Sequence, residues 1–189
     1  MKLVTFITGN TKKAEHIKAI LPIELSHQKV DLIEIQSLDI REVVRYKVME
    51  AYKHVQDPVL VEDVSLRFNA LGRLPGPFVK SFLEDIDNEG LCKLLAGHTD
   101  RSAIAHVCFG LYDGNEIHFF ENEQPGTIAL EPRGKKGFGW DPIFIPVGAS
   151  MTYAEMEEIG SEVTIPYSMR RPALKKLEEF LLARKQTSV

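Results

Sequence analysis

Leu3-Val4-Thr5-Phe6-Ile7-Thr8-Gly9-Asn10-Thr11-Lys12-Lys13 changes its periodicity at a glycine. Leu3–Thr8 is an apolar run of strand length, and beyond Thr11 the residues Ala14, Ile17 and Leu21 fall on one helical face. A buried strand feeding a helix through a Gly turn is the opening unit of an α/β fold. The pattern continues: Val30–Ile35 predicts a second strand. Ile40–Val55 predicts a helix, because Ile40, Val43, Val44, Val48, Ala51 and Val55 recur at helical spacing. Val59-Leu60-Val61 predicts a short buried strand ending at Glu62-Asp63.

After Leu74-Pro75-Gly76-Pro77, which reads as a rigid turn, the pattern becomes a meander. Asn88 is expected to cap a helix carrying Leu91, Leu94 and Leu95 and stopped by Gly97. Ala103–Tyr112 and Glu116–Glu121 flank Asp113-Gly114-Asn115, a strong hairpin signal. Glu131–Pro142 is a Gly-rich loop with a short strand after it, and Thr152-Tyr153-Ala154-Glu155 is a capping box. Pro172 opens a last helix through Ala183, with Leu174, Leu177 and Leu181 facing inward. Early alternation followed by a meander predicts a mixed-sheet α/β fold.

At 189 residues the chain is expected to be one domain over 1–189. Its 44% hydrophobic and 26% charged content excludes intrinsic disorder. A net charge of −4 argues against a nucleic-acid coat, which needs a basic surface, but leaves room for a small anion held by placed cations. Cys92 and Cys108 form no C-x-x-C pair, and the histidines show no H-x-x-x-H spacing, so a zinc site is not expected. Leu3–Ile7 is too short for a signal core, and no apolar run reaches the roughly 18 residues of a membrane helix. A soluble, cytoplasmic protein with no membrane partner is expected.

Five places carry chemistry. At Thr8-Gly9-Asn10-Thr11-Lys12-Lys13 the free N–H groups of a helix start suit an anion, with Lys13 one turn in; the alternative is an ordinary turn with solvated lysines. Glu62 and Asp63, expected where a strand ends, suit Mg²⁺, which takes one or two carboxylates plus substrate phosphates; a solvated loop start is the alternative. Lys47 falls inside the apolar arc of its helix and must either snorkel or meet an anion, and Glu34 on the preceding segment is a weaker candidate. In Gly137-Phe138-Gly139-Trp140-Asp141-Pro142, aromatics between glycines can stack on a flat ligand, and Asp141 can accept from a ring N–H. A buried loop anchor accounts for the same residues. Last, Arg170, after Ser168 and Met169, can donate a planar fork to a base carbonyl or simply be solvated.

Taken in order, TGNTKK (8–13), VEDVSLRFNALGRLPGPFVKSF (61–82), GFGWDPIF (137–144) and TYAEM (152–156) resemble the inosine triphosphate pyrophosphatase family, the central stretch its eukaryotic branch. The resemblance covers nearly the whole chain. It implies an elongated mixed sheet flanked by helices, two lobes around a central cleft, and a homodimer. It also implies Mg²⁺-dependent hydrolysis, with Mn²⁺ as a substitute, of non-standard purine triphosphates (ITP, XTP and deoxy forms) to monophosphate and pyrophosphate. By the same resemblance Thr8, Gly9, Asn10, Lys13, Lys47 and Lys80 hold the triphosphate, and Glu34, Glu62 and Asp63 bind the metal. Asp63 activates the water, Lys13 and Lys47 assist catalysis, and Phe138, Trp140, Asp141, Ser168 and Arg170 form the base pocket. The stretch Glu162–Arg170 departs from the family's Lys-Asn-x-x-Ser-His-Arg pattern: it has no lysine, Pro166 stands in its place, and Met169 replaces histidine, offering a soft surface near the base. A nucleotide-sensing module, or a pyrophosphatase of other triphosphates, are the competing readings.

Overall fold

The computed structural model of the protein describes residues 3–21 and 24–186. Among the described residues the fold is mixed α/β: a central mixed sheet flanked by helices. Its seven strands are β1 (Thr5–Ile7), β2 (Ser26–Gln28), β3 (Val59–Phe68), β4 (Pro75–Gly76), β5 (Ser102–Tyr112), β6 (Ile117–Ile128) and β7 (Phe144–Pro146). They run in the order β2-β1-β3-β5-β6-β7, with β4 paired to β3. The helices are α1 (Thr11–Ile20), α2 (Ile40–Val55), α3 (Val79–Lys93), α4 (Tyr153–Ile159), α5 (Ser161–Thr164) and α6 (Arg170–Gln186). No described helix is long and apolar enough to cross a membrane. The chain divides into two compact units.

The first unit comprises Met1–Asp63, Val107–Asn122 and Arg170–Val189. Here β1 pairs in parallel with β2, Thr5 opposite Ser26, and with β3, Thr5 opposite Val59. Asn10 caps α1, its Oδ1 accepting from the Lys13 amide at 3.2 Å, and Asp39 caps α2 by accepting from the Arg41 amide at 2.9 Å. The apolar arc of α2 is buried as its periodicity requires: Ile40, Val44, Val48 and Ala51 pack with Ile7, Val59, Val61 and Cys108. Each of the isoleucine and valine side chains contributes about 1.5–3 kcal/mol when fully buried. Gly110 permits this packing, since a Cβ there would lie 2.5 Å from Val44 Cγ1. On α6, Leu174, Leu177 and Leu181 are buried. In the turn at Asp113-Gly114-Asn115, Asp113 Oδ1 accepts from the Asn115 and Glu116 amides.

Two expectations are corrected in this unit. Val30–Ile35 forms no strand; the strand is β2, which begins four residues earlier, at Ser26, and pairs with β1. Val30 and Leu32 still pack on the core, so the alternation marked side-chain burial where the backbone has no ladder partner. The second correction bears on function. The strand beginning at Val59 does not stop at Glu62-Asp63 but runs to Phe68, so both carboxylates sit in mid-strand. The charge at Glu62 does not break the strand because its side chain is ion-paired within the protein.

The second unit comprises Val64–His106 and Glu123–Met169. β4 pairs antiparallel with β3, Leu66 opposite Gly76, and β7 with β6, Thr127 opposite Ile145. Helix α3 begins at Val79, well before the expected cap. It is interrupted at Asp87, which adopts φ 56° and ψ −168°. Asp87, not Asn88, caps the second segment, its Oδ1 accepting from the Gly90 amide at 3.0 Å. Thr152 and Glu155 form the reciprocal capping box of α4, and Arg133 is tied to Glu155 at 3.2 Å. Arg101 donates to the carbonyls of Ile128 and Ala129 at 2.9 and 2.6 Å.

Candidate functional site

Within the first unit, three segments bring charged side chains together. Thr8 Oγ1 accepts from the Asn10 amide at 3.1 Å, and with the Asn10 cap this fixes the turn from which Lys13 projects. In β3, Glu62 is 3% exposed. Arg170, the first residue of α6, is buried as well and donates through Nε and Nη2 to Glu62 Oε1, at 3.0 and 2.9 Å. Lys13 Nζ lies 4.0 Å from the same oxygen. Glu62 Oε2 is buried and, among the described residues, has no hydrogen-bond partner. Next along the strand, Asp63 Oδ2 accepts from Lys47 Nζ at 3.5 Å, while Lys47 also donates to Glu34 Oε1 at 2.5 Å.

Charges alternate through this cluster, and the alternation sets their protonation. Burial works against the charge of Glu62, but Arg170 and Lys13 outweigh it and hold the carboxyl below the usual range. Lys47 is desolvated too, yet Asp63 and Glu34 keep its ammonium above the ordinary lysine value. Lys13 is the opposite case: burial pushes its ammonium down, against the pull of Glu62 and Asp63 and with help from Arg170. An anion entering beside Lys13 would reverse that shift. Lys47 therefore neither snorkels nor idles; it meets two carboxylates, one of them from a segment 13 residues upstream.

For a divalent ion, the donor set is two carboxylates in mid-strand with Glu34 alongside Lys47. Among the described residues no three His, Cys, Asp or Glu side chains stand close enough to form a metal site by themselves. The orphaned Glu62 Oε2 is nevertheless a buried anionic acceptor lacking a partner, which is costly unless a cation or donor joins it. Such a site fits Mg²⁺ supplied together with phosphate oxygens.

The remaining expected residues lie in the second unit. Lys80, on α3, has a side chain 75% exposed, with its ammonium 3.9 Å from Glu84, an ordinary surface pair. Trp140 is 5% exposed and packs edge-on against Phe144, centroids 5.5 Å apart, and against Tyr153. Its ring thus anchors the loop in the core. Phe138 is half-buried, and Asp141 Oδ2 accepts from the Phe138 amide at 2.7 Å, closing the loop on itself. Gly137, at φ 82°, leaves room for that carboxylate, which would stand 2.5 Å from a Cβ. Ser168 is buried, its amide donating to Ile165 at 3.2 Å. Met169 is buried at 3% exposure, so it fills core rather than offering the soft surface expected of it. Sequence reasoning missed two contributions. Asn88 Nδ2 donates to the Gly139 carbonyl at 3.0 Å and so holds the aromatic loop, for which no sequence signal existed. Arg170, expected at a base, also grips Glu62; the hint was a buried-strand carboxylate needing a cation.

These features define an α/β protein whose sheet carries a buried cation–carboxylate cluster next to a capped strand-to-helix turn. The chain belongs to the Ham1 family, which it matches over residues 4–180. Its structure is similar to that of a HAM1 protein from Coxiella burnetii, with TM-score 0.84 and 26% identity, covering 97% of this chain and all of that one. The Ham1 protein of Staphylococcus aureus is similar at TM-score 0.81 and 26% identity with the same coverage. A nucleoside-triphosphatase (dITP/XTP pyrophosphatase) from Mycobacterium abscessus shares the fold, at TM-score 0.73 and 22% identity over 93% of this chain and 98% of that one.

Proposed function

We propose that the protein is a nucleoside triphosphate pyrophosphohydrolase that cleaves non-standard purine triphosphates, ITP, XTP and their deoxy forms, to the monophosphate and pyrophosphate. Family membership supports the reaction class. The observation that carries it is the buried cluster of Lys13, Lys47, Glu62 and Asp63, in which Glu62 Oε2 lacks a hydrogen-bond partner among the described residues. Mg²⁺, with Mn²⁺ as a substitute, would be held by Glu62 and Asp63, with Glu34 nearby, and would supply neutralisation of phosphate charge.

The chain's own residues do the rest. The Thr8-Gly9-Asn10 turn and Lys13 bind the phosphates, where the desolvated ammonium interacts more strongly than it would in water. Lys47, kept protonated by its two carboxylates, adds positive charge beside the leaving pyrophosphate. Asp63 orients and deprotonates the water that attacks the α-phosphorus, and its link to Lys47 restricts its rotamer. No covalent nucleophile is required. Base recognition is assigned to the loop of Phe138 and Asp141, with Trp140 as its anchor, and to Ser168 and Arg170; Lys80 is a peripheral phosphate cation. A homodimer acting on the cytoplasmic nucleotide pool completes the proposal.

The test is direct: purified protein with Mg²⁺ and ITP, XTP, GTP, ATP and pyrimidine triphosphates, assayed for pyrophosphate. ITP and XTP should have the highest kcat/KM. Release from none of them would favour a nucleotide-sensing module, and ATP turnover equal to that of ITP would refute the substrate assignment.

A further inference from the structure

We infer that Asn88 is a positioning residue that clamps the orientation of Phe138 for stacking on a nucleotide base, an inference that rests on the reading of the 137–141 loop as part of the base pocket. Phe138 lies between Gly137, at φ 82°, and Gly139, at φ 64°, so the backbone on either side of the ring has the freedom of residues without a Cβ. Hydrogen bonds supply the stiffness that the glycines do not. The Phe138 amide donates to Asp141 Oδ2 at 2.7 Å. The carbonyls of Phe138, Trp140 and Asp141 accept from the amides of Asp141, Ile143 and Ala154 at 3.3, 3.1 and 3.1 Å. The Gly139 carbonyl is held differently: it accepts at 3.0 Å from Asn88 Nδ2, a side chain 51 residues away on α3. Phe138 is thus fixed on its N-terminal side by Asp141 and on its C-terminal side by Asn88 acting through Gly139. Two unfavourable features stand at consecutive residues beside that contact. Asp87, which interrupts α3, holds φ 56° and ψ −168°, a combination that residues with a Cβ seldom adopt, and its cap on the Gly90 amide offsets part of the strain. Asn88 Oδ1 is buried and, among the described residues, has no hydrogen-bond partner. Turning the amide over would bring no relief, because Oδ1 would then face the Gly139 carbonyl oxygen. Strain and an orphaned acceptor next to a single bond to the loop mark that bond as one kept for the geometry of the site.

Trp140 follows Gly139, is the chain's one tryptophan and is 5% exposed, so its fluorescence reports on the loop before any nucleotide is added. Acrylamide quenching is measured for wild type, Asn88→Ala and Asn88→Asp, with thermal melting as the folding control, followed by kcat and KM for ITP. Asn88→Ala should be quenched at least about twofold more readily and should raise KM at least about fivefold. Its kcat should stay within about twofold of wild type, because the charged cluster of the first unit is untouched. Asn88→Asp keeps the shape but sets a carboxylate against the Gly139 carbonyl, so its quenching and KM should match or exceed those of the alanine variant. If Asn88→Ala does not fold, the aspartate variant carries the test; failure of both to fold overturns the inference by making Asn88 a support of the fold. Unchanged quenching overturns it, as does increased quenching with KM unchanged, or a loss confined to kcat. Wild type that hydrolyses no nucleotide would sink the proposed activity alone. The quenching comparison and the Kd of the imido analogue of ITP would then read the role of Asn88, and wild type that fails to bind the analogue would overturn both.

Discussion

Glu62 and Asp63 are neighbours in one strand and face different company: Glu62 meets Arg170 and Lys13, Asp63 meets Lys47. Each carboxylate also feels the other's cation, Lys13 being drawn by Asp63 and Glu62 by Lys47, so the two belong to one cluster. Its members can be tested one at a time. Lys13→Ala removes the desolvated ammonium beside the capped turn and should cut kcat/KM at least tenfold, about 1.4 kcal/mol of transition-state stabilisation. Steady-state kinetics on ITP checks it, with circular dichroism confirming the fold; wild-type kinetics would remove Lys13 from the site. Asp63→Asn keeps shape but loses the base, so turnover should fall below a hundredth of wild type while an imido analogue of ITP still binds in calorimetry. More than a tenth of wild-type kcat would assign the base to another residue.

Elements are tied to one another by a different polar centre, Asp113 in the β5–β6 turn. Besides the two turn amides, it accepts from Arg184 of α6, and His118 Nε2 lies 3.3 Å from Oδ2. Phe180 packs between these groups, 4.4 Å from the His118 ring centroid with Arg184 over its face. Burial opposes the charge on Asp113, but the Glu116 amide, Arg184 and the Asn115 amide hold its carboxyl far below the usual range. A carboxyl whose folded pKa is depressed stabilises the protein above its unfolded value of about 3.9, and that stability is lost as pH falls towards the folded value. Thermal melting of wild type should therefore drop steeply below about pH 4, while Asp113→Asn, already less stable at pH 7, should show a shallower fall over the same window. Parallel pH profiles would show that the tie contributes nothing through charge.

On the scale of the whole chain, ligand linkage is the informative quantity. A ligand at a hundred times its Kd stabilises the folded state by about 2.7 kcal/mol, and for a domain of this size each kcal/mol shifts Tm by roughly 2–4 °C. The imido analogue of ITP with Mg²⁺ should thus raise Tm by roughly 5–10 °C, and EDTA should remove most of that shift along with all pyrophosphate release, both returning with Mg²⁺ or Mn²⁺. An equal shift in EDTA would mean that no cation joins the nucleotide at the Glu62 cluster.

What the sequence determined alone is what short-range physics dictates. The bounds of α2 at Ile40–Val55, the capping box at Thr152 and Glu155, the turn at Asp113 and the buried leucines of α6 each follow from side-chain period or from a cap bonding to an amide three residues on. The residue types of the site were equally legible, because a lysine on an apolar arc and paired carboxylates after Val59-Leu60-Val61 are anomalies within a few residues. Their partners were not. That β3 passes through Glu62 to Phe68 depends on an arginine 108 residues later, and that Lys47 bonds Glu34 as well as Asp63 depends on how the segment before α2 lies on the first unit's core. Burying a charge is tolerable only when a counter-charge arrives with it. The chain announces locally that a counter-charge is needed; which residue supplies it is decided only when distant segments pack.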